Sequence, residues 1–184
     1  VFERGRNMGK KRGVMEWVNS VLANAHFLNC IGCEVGCGLE TIHQPVTWFD
    51  KERGLDEKYI AEGWVMARKE QGGCAALGED GCVLEPQVRP TACLVCPLGV
   101  SPSGQVVVHI LCPSALRIAR GVLEKDANVV AYVAASVLFM EEDKCFVERS
   151  KRAVENYAVV LAIGHYDYWL DIGKKMFQAD SATQ

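Results

Sequence analysis

Arg89-Pro90-Thr91-Ala92-Cys93-Leu94-Val95-Cys96-Pro97 is the stretch on which the reading of this chain turns. A proline that restricts the backbone stands three residues before Cys93, and a second one follows Cys96 directly. Two thiols separated by two residues can turn back on one metal or cluster, whereas isolated core cysteines show no such grouping. The 184-residue chain holds nine cysteines. Eight of them lie between Cys30 and Cys112: Cys30, Cys33 and Cys37, then Cys74 and Cys82, then Cys93 and Cys96, and finally Cys112 ahead of Pro113. Eight is the number that two tetrathiolate sites require.

The bulk composition allows an ordinary core. About half of the residues are apolar (49%), so a disulfide scaffold is not needed to hold one domain together. The net charge of −3 is spread along a chain of mixed sign, so neither nucleic acid nor an anionic membrane is expected as a partner. Residues 1–12 are polar and basic and do not read as a secretory signal. Ala127 to Met140 is too short to span a bilayer and contains Asn128 and Ser136. A cytoplasmic, prokaryotic protein without a membrane span is the expectation. In a reducing compartment clustered cysteines act more often as metal ligands than as disulfides.

The expected organisation is a flexible basic terminus (1–12) followed by one domain (13–184). Within it, residues 30–112 form a cysteine-cluster core and 113–184 a helical C-terminal part. Val14, Trp17, Val18, Val21, Leu22, Ala25 and Leu28 recur at helical spacing and predict a helix from Gly13 to Leu28. A second helix is expected over Asp56 to Gln71, with Ile60, Trp64 and Ala67 on one side, ended by Gly72 and Gly73. Residues 72–104 are rich in glycine and proline, as loops around a ligated centre would be. Ser101-Pro102-Ser103-Gly104 reads as a turn and Gln105 to Leu111 as a strand, so a short hairpin would put Cys96 and Cys112 near its two ends. Pro113 suits the start of a helix with the stripe Ala115, Leu116, Ala119, Val122 and Leu123. Val154, Tyr157, Leu161, His165, Tyr168, Ile172 and Met176 form a longer helical stripe, interrupted by Gly164, that would pack on the core or build a homo-oligomer through the C-terminal helices. The fold class is therefore mainly α, a small α+β fold with a loop-rich, cysteine-ligated metal-binding core and a short β-hairpin.

Cys30-Ile31-Gly32-Cys33-Glu34-Val35-Gly36-Cys37 is a tight loop in which Gly32 and Gly36 free the backbone to turn amides toward sulfur. Ferredoxin-type loops use similar steps, but the next step of the bacterial pattern is missing. Cys93 and Cys96 also have the spacing of a dithiol redox pair, a reading that leaves the other six cysteines unused. Gly73-Cys74-Ala75-Ala76-Leu77, then Cys82, then Arg89-Pro90-Thr91-Ala92-Cys93 complete the pattern.

In this order the motifs resemble the YkgJ/YcgN-type cysteine-cluster family, described as zinc- or iron-chelating proteins of the CxxCxxCC class. The likeness runs from Cys30 to Pro113, under half the chain. Cys30, Cys33 and Cys37 match the first, second and fourth cysteines of the family's loop, and Gly36 stands at the third. Cys96-Pro97 takes the place of an aromatic-proline pair, so Cys96 would substitute for the thiolate missing at Gly36. The chain resembles a divergent member. The resulting ligand set is Cys30, Cys33, Cys37, Cys74, Cys82, Cys93, Cys96 and Cys112, with Arg89 donating toward a thiolate or carboxylate beside the site.

An all-thiolate set among glycine-rich loops favours one or two iron-sulfur clusters, of the 4Fe-4S type, and zinc is the alternative. Cys145 lies outside every motif, and His26, His43, His109 and His165 have ordinary structural readings. No nucleophile with its base, phosphate loop or coenzyme fingerprint is present, so an enzymatic role is left open. The expected work is electron transfer or iron or cluster handling with a protein partner such as a redox protein. A zinc-stabilised interaction module and a cluster-containing enzyme or enzyme subunit are the alternatives.

Overall fold

A computed structural model describes residues 2–25, 44–70, 72–79, 81–156 and 159–182, with residues 2–12 and 81 considered as backbone alone. In chain order the elements are α1 (Phe2–Ala23), α2 (Trp48–Glu52), β1 (Ile60–Ala61), β2 (Val65–Met66), β3 (Leu77–Gly78), β4 (Gly81–Cys82), α3 (Thr91–Leu94), β5 (Leu98–Val100) and β6 (Gln105–His109). After them come α4 (Ala115–Glu124), α5 (Ala127–Glu142), α6 (Lys144–Asn156), β7 (Val160–His165) and α7 (Tyr166–Ser181). The protein is a small α+β fold, mostly helical, with short antiparallel strands.

At the centre lies α5, apolar on every side. Its residues from Tyr132 to Met140 are all buried, as a helix surrounded by protein must be. The Asp126 carboxylate accepts from the amides of Asn128 and Val129 and so caps the first turn. Two glycines let neighbouring helices approach. At Gly121 of α4 an added Cβ would come within 2.5 Å of Val129, and at Gly173 of α7 one would meet the backbone oxygen of Ala134 at 2.8 Å. Trp17 of α1 meets Phe177 of α7 edge to face, with ring centroids 6.1 Å apart. None of the helices among the described residues is long and apolar enough to cross a membrane.

A three-stranded antiparallel sheet, β5-β6-β7, lies against this bundle. The expected hairpin is present: Ser101 N donates to Gln105 O, Gly104 N to Ser101 O, and Gly104 takes a left-handed φ of +76° in the turn. The edge of the sheet at β5 is covered, because Ser150 Oγ of α6 accepts from Val100 N at 2.8 Å. A second, smaller core of Val46, Leu55, Met66, Cys74, Ala76 and Leu84 lies under the paired strands β1-β2 and β3-β4.

Two expectations give way. The described part of this segment, residues 56–70, is not a helix: Glu57–Tyr59 is a single 3-10 turn, followed by the β1-β2 hairpin. Gly63 (φ +80°) and Trp64 (φ +57°) both take left-handed angles there, which an α-helix cannot accommodate, and Met66 is thereby delivered to the small core. The C-terminal stripe is also divided, because Val160–His165 is a strand paired with β6. Gly164 explains the change. Its φ is +132°, and a Cβ there would lie 2.7 Å from Trp169 Nε1, whose N–H caps Ile163 O at 3.1 Å.

The expected helix at 13–28 is met by α1, which runs through the basic segment from Phe2 and ends at Ala23. Residues 26–28 lie outside the described residues.

Candidate metal centre

Cys93 sits in the short helix α3, and Cys96 two residues beyond its end. The turn is built by backbone bonds from Cys93 N and Leu94 N to Pro90 O and from Val95 N to Thr91 O. It is fastened from behind. The Tyr132 hydroxyl of α5 reaches the carbonyls of Val95 at 3.1 Å and Cys96 at 2.8 Å, while the tyrosine ring itself is buried.

Thr91, at the head of α3, enters a buried polar clasp. Its N–H donates to Asp50 Oδ1 at 2.7 Å, and its hydroxyl lies 2.7 Å from Asp143 Oδ2. Thr47 bridges the same two carboxylates, with Oγ1 2.7 Å from Asp143 Oδ2 and its N–H on Asp50 Oδ2 at 2.8 Å. Asp143 Oδ1 accepts from Phe146 N at the head of α6. Arg53 lies 3.5 Å from Asp50, stands over the Phe139 ring at 4.7 Å and donates to the carbonyls of Arg89 and Gln87. Burial is the main influence on both charged partners. It raises Asp50, against the lowering effect of the Thr47 and Thr91 amides, and lowers Arg53.

Pro97 O accepts from His109 N across the hairpin, so Cys96 and Cys112 leave the same end of it. Cys112 is half-buried against the main core, and Ala115 N donates to its carbonyl. His109, half-buried beside that end, is lowered by burial and so stays neutral over a wider pH range. Cys74 is buried in the small core, opposite Arg68 in an isolated bridge, and Cys82 is exposed on β4 opposite Leu77. Cys145 is exposed on α6. Arg89 donates Nε to Leu84 O at 2.8 Å, which ties its own loop.

The described candidate ligands thus fall into two neighbourhoods: Cys93, Cys96 and Cys112 on the main body, Cys74 and Cys82 with the small core. Cys30, Cys33 and Cys37, together with Gly36, His26 and His43, lie outside the described residues. Among the described residues no group of three or more His, Cys, Asp or Glu side chains could hold a metal ion. The donor chemistry nevertheless suits zinc or an iron-sulfur cluster: Cys93, Cys96 and Cys112, the candidate ligands on the main body, are half-buried thiols. A closed four-thiolate site there needs donors beyond these.

The sequence reading passed over Thr47, Asp50, Arg53, Thr91 and Asp143. One signal was legible, because Thr47-x2-Asp50 has the form of a capping box, and the structure contains that box. Comparison with family models, with curated proteins and with solved structures returns no match.

Proposed function

We propose that this chain binds an iron-sulfur cluster, one or two of the 4Fe-4S type, and that it transfers electrons, or handles iron or cluster, with a protein partner in the cytoplasm. The ligands in this reading are Cys30, Cys33, Cys37, Cys74, Cys82, Cys93, Cys96 and Cys112. Arg89, whose Nε is already engaged, would use its terminal nitrogens beside the site. Bound there, a cluster would supply one-electron redox chemistry, and the chain's own contribution would be to hold thiolates near the surface.

The observation that supports this most is the Cys93-Cys96 turn. Its backbone is tied down by Tyr132 and by the Asp50 clasp, while the two cysteines themselves stay half-exposed. A rigid turn with accessible thiols needs little reorganisation on binding, which is what a ligand loop requires.

A zinc-stabilised interaction module is the second reading, and the small core favours it. That core has six buried hydrophobic residues among those described, and a structural metal adds folding free energy where a core is small. Anaerobic purification followed by metal and sulfide analysis and a visible spectrum with and without dithionite separates the two. Iron, sulfide and a bleachable absorbance are expected. Colourless protein with zinc and no sulfide refutes the iron-sulfur reading.

A further inference from the structure

Of the two edges of the sheet β5-β6-β7, Ser150 covers the one at β5, and β7 forms the other. The backbone bonds show which groups of β7 point outward. His109 N donates to Pro97 O and Gln105 O accepts from Ser101 N, so the odd residues of β6 turn to β5. Val108 and Ile110 therefore turn to β7, where Val108 stands opposite Leu161 and Ile110 N donates to Val159 O. Because these groups alternate along a strand, Val160 and Ala162 direct their N–H and C=O groups away from the sheet. Among the described residues no hydrogen bond reaches those four groups. Ile163 is the unmatched residue of the bulge, and Trp169 Nε1 closes the edge at its carbonyl.

The usual protections of an edge strand are missing here. Val160-Leu161-Ala162-Ile163-Gly164-His165 contains no lysine, no acid and no proline. Leu161 shares the sheet face of Val108, which enters the main core with Ala115 and Ile118 of α4, yet it is 39% exposed. Val159 and Ile110 lie beside it, 44% and 48% exposed. On α4, Leu116 and Leu123 are seven residues apart and so on one stripe, 78% and 83% exposed. These five side chains offer on the order of 500 Å² of apolar surface, within the range at which a patch on a monomer marks an interaction site. With an unpaired strand edge added, this approaches the roughly 800 Å² that each partner of a stable dimer covers.

We infer that β7 pairs antiparallel with β7 of a second copy of this chain, joining two three-stranded sheets into one of six strands. A two-fold axis at Leu161 sets Val160 opposite Ala162 of the second copy, and Ala162 opposite its Val160. All four outward groups of each strand then find partners, and the two Leu161 side chains meet at the close, non-hydrogen-bonded position. The edge is thus complementary to itself and sets no charge against its own copy, which favours a second copy over an unrelated strand. The pairing requires no metal.

Light scattering after size exclusion of the full chain, together with amide hydrogen exchange at Val160 and Ala162, tests the pairing. At about 100 μM a mass twice the 20.3 kDa of one chain is expected. Both amides should then exchange about tenfold or more slowly than after dilution to the monomer. Leu161→Lys brings like charges face to face at the axis and should leave a folded monomer at the same concentration. A single-chain mass for the wild type overturns the inference and leaves the edge to an extended segment of another protein. So does a dimer in which both amides exchange as fast as in the monomer, or a folded Leu161→Lys that stays dimeric. Should Leu161→Lys not fold, the wild-type mass and exchange decide.

Discussion

Thr91 Oγ1 and Asp143 Oδ2 are 2.7 Å apart across 52 residues of sequence. Through that contact the turn bearing Cys93 is joined to the junction of α5 and α6, and through Thr47 to the segment that begins the small core. Asp143→Ala removes the acceptor of two threonine hydroxyls and of Phe146 N in a site closed to water. We expect a loss of about 3 kcal/mol, in the range found when a buried polar pair is broken, measured by urea unfolding. A loss below about 1 kcal/mol would mean that the clasp is incidental to the fold.

Tyr132→Phe keeps the buried ring and deletes the hydroxyl that reaches Val95 O and Cys96 O. The expected cost is about 1–2 kcal/mol, because the two carbonyls lose the one hydroxyl proton they share. Cys96, carried on a loosened turn, should react faster with a thiol reagent, while Cys145 on α6 should react at an unchanged rate. Equal acceleration at both would signal general loosening rather than release of this turn.

The bundle was more legible than the small core, for a physical reason. The helix after Pro113, the apolar run 127–140 and the turn at Ser101 to Gly104 announce themselves within one or two turns of chain. By contrast, Ile60, Trp64 and Ala67 fall at helical spacing, but Gly63 and Trp64 reverse the chain. Trp64 ends partly exposed, with its ring 5.5 Å from that of Trp48. Leu161 and His165 are four apart, as on a helix, yet they pair with Val108 and Gln105 of a strand more than fifty residues earlier. Asp50 could be read as a cap from Thr47, but its partners Thr91 and Asp143 exist only once the chain has folded.

Gly173→Ala tests the closest approach of α7 to the central helix. Its Cβ would stand 2.8 Å from the backbone oxygen of Ala134, an atom that cannot swing aside. Overpacking of this kind costs about 1–3 kcal/mol, outweighing alanine's better helix propensity. Gly63→Ala is the contrasting case, with nothing within 4 Å of the new Cβ but a φ of +80°. There the strain of the left-handed angle predicts about 1 kcal/mol. Thermal unfolding should rank the two in that order, and a neutral or stabilising Gly173→Ala would contradict the packing seen here.

Arg149 donates to the carbonyls of Val46 and Trp64 at 2.8 Å and of Gly63 at 3.3 Å, gathering the start of the small core and its first hairpin onto α6. Arg149→Met retains much of the stem and loses every one of these bonds. We expect about 2 kcal/mol of destabilisation. A change in tryptophan fluorescence from the Trp48-Trp64 pair should accompany it. Unaltered fluorescence together with unaltered stability would show that the hairpin holds its place without the arginine.

Cys96 and Cys145 provide the decisive pair for the ligand set. Both are accessible to some degree, both would tolerate serine sterically, and they differ in setting: Cys96 follows the fastened turn after α3, and Cys145 lies in the first turn of α6. If Cys96 supplies the thiolate missing at Gly36, Cys96→Ser should lower bound metal per chain by half or more, or hasten its loss to a chelator at least tenfold, since a neutral hydroxyl is a far poorer ligand than a thiolate. Cys145→Ser should match the wild type in both measurements. Comparing circular dichroism before and after chelation guards against a trivial outcome, because a serine that merely unfolded the turn would lower helicity even without metal. Equal retention in the two variants would remove Cys96 from the ligand set and leave the exchange between Gly36 and Cys96 without chemical content.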